Sequence, residues 1–153
     1  MNFLERVKDF FNDFGTHKVM VLATSADNRT TARMMSCIIL DNHIFCQTDK
    51  EFQKTKQIEI NPLVALCADN VQIEGKATLM GSPQDACNKE FTEAFKHYFK
   101  GSYDTYSNLA NEIVIEISPI LITTYYYENG KPCREFYDFN REIVYKEHYE
   151  IGK

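Results

Sequence analysis

Hydrophobic positions along this chain change period several times, and each change marks a new element. Leu4, Val7, Phe10, Phe11 and Phe14 recur at helical spacing, with Gly15 where a helix would stop, which predicts an amphipathic helix over residues 2–14. Residues 18–24 (KVMVLAT), 31–40 (TARMMSCIIL) and 43–48 (HIFCQT) are rich in β-branched and aromatic side chains. Polar turns at Asp27-Asn28 and Asp41-Asn42 separate them, which predicts three strands of an antiparallel meander. Residues 50–60 return to a helical period and stop at Asn61-Pro62, because a proline restricts the residue before it.

The second half alternates in the same way. LVALCAD (63–69) and QIEGKATLMG (72–81) have strand character. Ser82-Pro83 reads as an N-cap followed by proline at the first helical position, and Asp85 suits the helix dipole. A helix from Pro83 to Phe99 would place Cys87, Phe91, Ala94, Phe95 and Tyr98 on one stripe. Ile113, Ile115 and Ile117 alternate against Glu112, Val114 and Glu116, predicting a strand over 112–118 with one buried face, punctuated by Pro119. ILITTYYY (120–127) is a further strand, Asn129-Gly130 is a turn signal, and REFYDFNREIVY adds a last strand or an ordered tail. The run Tyr125 to Tyr127 reads as sheet and dimer packing. Short strands on hairpin-length connections, with few helices, predict a mainly β (α+β) fold: an antiparallel barrel with peripheral helices. A doubly wound sheet would need a helix between most strands.

Length and composition narrow the reading. The 153 residues fit one domain, 44% of them are hydrophobic and 25% charged, and the formal charge is −5. An acidic chain is a poor match to nucleic acid or anionic membranes, both of which select basic surfaces. No apolar run approaches the roughly 20 residues of a membrane span. The first residues alternate charge with aromatics, unlike a secretory signal, so the expected location is cytoplasmic. The 5 cysteines are spread without a C-x-x-C pair and the 4 histidines lack ligand spacing, so neither a disulfide framework nor a zinc cluster is indicated.

Against that acidic background, donors concentrate between Thr31 and Leu66. Arg33 sits in a strand, Thr48 ends the next strand, and Lys50, Lys54 and Lys56 fall in the helical segment that follows. Lys50, Lys54 and Gln57 are spaced i, i+4 and i+7, on one helix face. Arg33 shares a strand face with Met35 and Cys37, with Met34 on the other, and a guanidinium in such a run must either emerge at the sheet edge or have an anion partner. That partner is either a carboxylate such as Glu74 or a bound phosphate. Such a compact donor set fits one small, doubly charged anion, and a phosphorylated cofactor is the simplest.

RMM at Arg33 to Met35, Gln47-Thr48 before a helix, Lys54 six residues past the threonine, QIEINPLVAL at Gln57 to Leu66 and IEG at Ile73 to Gly75 resemble the pyridoxamine 5'-phosphate oxidase-like, FMN-binding split-barrel family. The resemblance covers roughly residues 16–82 well and the remainder in general order of elements. It implies a six-stranded split β-barrel, a homodimer with FMN between subunits, and redox chemistry on a small molecule with NADH or NADPH as candidate electron donor. It also implies that Arg33 and Lys54 hold the flavin phosphate, that Met34 and Met35 run beside the ring, and that Thr48 and Asn70 add contacts. The pattern departs where those oxidases carry Ser-Arg before the helix lysine, since this chain has Phe52-Gln53; Lys50 is the candidate replacement donor. The C-terminal arginine motif also has no clear counterpart. A non-catalytic flavin-binding or redox-sensing module is the alternative function.

Overall fold

The computed structural model describes residues 1–152. Helix α1 (Phe3–Phe14) opens with Asn2 and Glu5 capping each other reciprocally and closes at Gly15, whose φ of 108° favours glycine. Strands β1 (His17–Ala26), β2 (Arg29–Leu40) and β3 (His43–Asp49) form the expected meander. Asp27-Asn28 and Asp41-Asn42 all have positive φ, the backbone that tight two-residue hairpins require. Helix α2 (Gln53–Ile60), strands β4 (Leu63–Ala68) and β5 (Val71–Leu79), helices α3 (Lys89–Tyr98) and α4 (Lys100–Tyr106), and strands β6 (Glu112–Glu128), β7 (Lys131–Asp138) and β8 (Ile143–His148) complete the chain.

All strand pairings are antiparallel and run β3-β2-β1-β4-β5-β6, after which β6 returns to pair with β3 and closes a six-stranded barrel. β7 and β8 then extend the sheet from the far half of β6. Met20, Leu22, Cys37, Ile44, Cys46, Leu66, Ile73, Ile115 and Ile117 are fully buried in the main core. A second apolar cluster, Ile38, Phe91, Phe95 and Val114, seats α3 on the outer barrel wall. No described helix is long and apolar enough to cross a membrane.

Several boundaries depart from the sequence reading. α2 begins at Gln53, so Lys50 is not helical: the Asp49 carboxylate accepts the Glu51 N–H at 2.8 Å and the Lys50 N–H reaches Asn111 O at 2.8 Å, which holds residues 49–52 as a turn. The helix expected from Pro83 begins at Lys89, after a 3₁₀ turn at Ala86–Asn88. The Asn88 amide donates to both Met80 O and Ser82 O, tying that segment to the barrel. Cys87 consequently lies outside the buried stripe, and α4 follows unanticipated.

Residues 112–118 and 120–127 belong to the single long strand β6, in which Pro119 is accommodated at a bulge. Gly75 lies opposite Pro119, where a Cβ would stand 2.7 Å from Ile117 Cγ2 and 2.8 Å from Ser118 O. Both faces of the first half of β6 are covered, one by the barrel core and the other by α3, which is why Glu112 and Val114 are buried together with Ile115 and Ile117. The segment read as one last strand is the hairpin β7–β8.

Candidate functional site

A cleft of about 280 Å³ opens at the end of the barrel where β2, β3, the start of α2 and α4 meet. Its apolar walls include Met34, Met35, Phe52, Phe95, Tyr106 and Leu109, and its polar groups include Thr48, Lys54, Gln47 and Glu112. Met35 is buried while Met34, on the opposite face of β2, is 62% exposed, as strand alternation requires.

Lys54, on the first turn of α2, lays its ammonium 2.8 Å from the Thr48 hydroxyl and 4.8 Å from the centre of the Phe52 ring. Burial and then the nearby Arg33 guanidinium lower its pKa, with Cys46, Glu112 and Asp49 opposing. Phe52 occupies the N-cap position of α2 and supplies no capping side chain, so the positive end of the helix faces the same corner uncapped.

Arg33 is held from behind. One Nη1 donates to the Thr24 hydroxyl at 2.7 Å and to Leu22 O at 3.2 Å, and Nη2 donates to the Thr31 hydroxyl. Both threonine hydroxyls donate their own protons to Gln57 Oε1, at 2.6 and 2.7 Å. A guanidinium has five donors, so these contacts leave the Nε–H and one Nη2–H for another acceptor. Burial lowers the Arg33 pKa. Among the described residues, no carboxylate pairs with Arg33 or Lys54. Glu74, the alternative carboxylate partner for Arg33, is exposed on β5.

The remaining candidates separate. Gln57 is buried behind Arg33 and does not reach the cleft; its amide nitrogen donates to Arg29 O at 3.2 Å. Lys50 is exposed on the turn before α2, and Lys56 pairs with Glu51 at 3.4 Å. Asn70 lies away from the cleft at the β4–β5 turn, where its amide donates to Tyr125 O at 2.7 Å. Thus Thr48, Lys54, Met34 and Met35 line the cleft, with Arg33 beside Lys54.

Beside Asp49, on the neighbouring strand β6, the cleft carries Glu112, which the strand reading assigned to a solvent face. Glu112, buried at the start of β6, accepts from Gln47 Nε2 at 2.8 Å, and Ser107 Oγ donates to Gln47 Oε1 at 3.0 Å. Burial raises the Glu112 pKa, and neighbouring Asp49 adds to the shift while the Gln47 hydrogen bond and Lys54 oppose it. The one available signal was Val114, apolar in the register assigned to water.

Comparison with known proteins agrees with this architecture. A family model described as pyridoxamine 5'-phosphate oxidase matches residues 3–126. The chain belongs to that family. No curated protein matches its sequence. Among solved structures, this pyridoxamine 5'-phosphate oxidase family member is similar to a pyridoxamine 5'-phosphate oxidase-related, FMN-binding protein from Nostoc punctiforme, with 14% identity, a TM-score of 0.59, and coverage of 97% of this chain and 93% of that one. It is also similar to an FAD-binding protein from Mesorhizobium loti, with 15% identity, a TM-score of 0.55 and coverage of 69% and 83%. The heme storage protein HutZ from Vibrio cholerae shares 16% identity, with a TM-score of 0.60 and coverage of 78% and 91%. At these identities the likeness is one of fold, and it spans neighbours with different bound groups.

The donor set fits a flavin phosphate. Lys54, the Thr48 hydroxyl and an uncapped helix end meet in the cleft with Arg33 close enough to lower the Lys54 pKa, the carboxylates of Asp49 and Glu112 line the same cleft without forming an ion pair with Lys54, and the remaining walls are largely apolar.

Proposed function

We propose that the cleft is the cofactor site of an FMN-dependent oxidoreductase acting on a small molecule. The observation that carries this reading is the Lys54 ammonium set against the Thr48 hydroxyl at 2.8 Å in the cleft, with the Arg33 guanidinium near enough to lower the Lys54 pKa and, among the described residues, no carboxylate in an ion pair with either cation. Lys54 and Thr48 would hold the phosphate from one side, and the open Nε–Nη2 edge of Arg33 would offer a bidentate grip from the other. Met34 and Met35 would border the ring, excluding water from it. When bound, FMN would supply the electron-transfer chemistry, and the protein would supply orientation and dipoles. No side chain of the chain is assigned as acid or base. Among the described residues no histidine lines the cleft, which therefore offers none of the imidazoles that commonly hold a haem iron.

A homodimer with the flavin at the subunit boundary belongs to the same reading. Met34, Phe52 and Leu109 are respectively 62%, 55% and 52% exposed around the cleft mouth, an apolar rim that a second copy would cover. NADH or NADPH is the candidate electron donor.

The direct test is the absorbance spectrum of the purified protein and identification of what denaturation releases, followed by FMN titration of wild type and Arg33→Ala. A yellow protein releasing FMN is expected, with affinity falling roughly a hundredfold in Arg33→Ala for the loss of about 3 kcal/mol of charge-assisted bonding. Colourless protein that fails to take up FMN, or unchanged affinity in the variant, would overturn the assignment. Steady-state reduction by NADH or NADPH separates an oxidoreductase from a flavin store or redox sensor, which would bind FMN without turnover.

A further inference from the structure

The β6–β7–β8 extension brings together three side chains that the chain spaces far apart. Cys133 on β7 and His148 on β8 are direct cross-strand partners, so their side chains share one face of the sheet. Glu128, at the end of β6, reaches the same spot: its Oε1 lies 3.4 Å from His148 Nε2. Cys133 Sγ, one imidazole nitrogen and one carboxylate oxygen all fall within 4.8 Å of one another. None of the three lines the cleft described above.

We propose that Glu128, Cys133 and His148 form a binding site for a single divalent ion of the zinc class. A thiolate, an imidazole and a carboxylate are the three ligand types that Zn²⁺ accepts, and three protein ligands leave its fourth position to water. Tetrahedral zinc bonds put ligand atoms roughly 3.3–3.6 Å apart, so the observed 3.4 Å between Glu128 and His148 is already the separation required. Closing the sulfur onto the same point needs only side-chain adjustment within the 4.8 Å group. His148 and Glu128 are partly open to solvent, giving an entry path, while the buried Cys133 forms the floor.

The surroundings suit a dication. Lys146 pairs with the other oxygen of Glu128 at 3.1 Å and lies 3.9 Å from Glu135. It therefore orients the carboxylate, the usual work of a group just outside a metal's ligands. A thiolate and a carboxylate carry two negative charges, which the ion neutralises, so Lys146 remains paired with Glu128 and Glu135 and does not meet a net positive centre. The softness of the sulfur favours Zn²⁺ over Mg²⁺ or Ca²⁺, which take oxygen ligands.

The test is titration of chelator-treated, purified protein with Zn²⁺ against a chromophoric competitor, and with Co²⁺ as a spectroscopic probe. One Zn²⁺ per chain is expected, with a thiolate-to-cobalt charge-transfer band in the Co²⁺ form. His148→Ala, at an exposed position, should weaken Zn²⁺ binding by more than about tenfold, and Cys133→Ser should abolish the charge-transfer band. His97→Ala, on α3, should bind as wild type does. Equal Zn²⁺ affinity in wild type and His148→Ala, or a Co²⁺ spectrum without thiolate character in the wild type, would overturn the site.

Discussion

Gln57 orients Arg33 without touching it. Its side-chain oxygen takes the hydroxyl protons of Thr24 and Thr31, and both hydroxyls therefore turn their lone pairs toward the guanidinium. A residue that the helical spacing groups with Lys50 and Lys54 stands one layer behind Arg33. Its polarity decides which way two threonines point.

Replacing Gln57 with Leu should release that arrangement. The buried Thr24 hydroxyl and the half-buried Thr31 hydroxyl lose their acceptor, which costs about 1–3 kcal/mol of folding stability, and Arg33 gains freedom to turn away from Lys54. Denaturant unfolding should report the loss, and FMN titration of the folded fraction should show weaker binding. Unchanged flavin affinity in a destabilised protein would confine Gln57 to a structural role.

Lys54 makes opposite predictions for binding and for stability as pH rises. Its folded-state pKa is lowered, first by burial and then by Arg33, so the unfolded chain holds this proton more tightly than the folded one. The flavin-free protein should therefore gain stability from this group as pH climbs from the lowered value toward the ordinary lysine value. FMN affinity should fall over the same window, because the phosphate needs the ammonium. Comparing wild type with Lys54→Met by unfolding and by titration isolates the group; the variant should lack both alkaline trends.

Glu112 gives an acidic counterpart. Burial raises its pKa above the unfolded value, so the folded state is penalised once the carboxyl ionises and the penalty is absent when it is protonated. Glu112→Gln keeps an oxygen to accept from Gln47. The variant should be as stable as wild type or more so at about pH 7, and the difference should shrink by about pH 4. Urea midpoints at the two pH values would check this, and a variant less stable at neutral pH would contradict it.

Gly75 offers a purely steric test. A Cβ would approach Ile117 Cγ2 to 2.7 Å and the Ser118 carbonyl oxygen to 2.8 Å, and the backbone oxygen cannot move aside without disturbing the bulge at Pro119. Gly75→Ala should cost about 1–3 kcal/mol in unfolding free energy. An unchanged midpoint would mean that the β5–β6 ladder yields more easily than its packing implies.

Local chemistry made much of the barrel legible in advance. Alternation marks strands, and Asp-Asn and Asn-Gly pairs mark hairpins because those residues tolerate positive φ; Asp27, Asn28, Asp41, Asn42, Asn129 and Gly130 all adopt it. The cleft was legible in part. Thr48 and Lys54 lie close in sequence and meet through one turn. Lys50 was misplaced because an Asx turn at Asp49 delays the helix, a choice between two local hydrogen-bond patterns that periodicity does not weigh.

Short-range pattern therefore set the strands, the tight turns and the Thr48–Lys54 pair, since each depends on residues a few positions apart. Closure of β3 onto β6, burial of Glu112 under α3 and α4, and the meeting of Glu128, Cys133 and His148 were settled by folding in three dimensions. These contacts join residues distant along the chain. Their side chains become neighbours only when strand register and packed helices fix which faces turn toward each other.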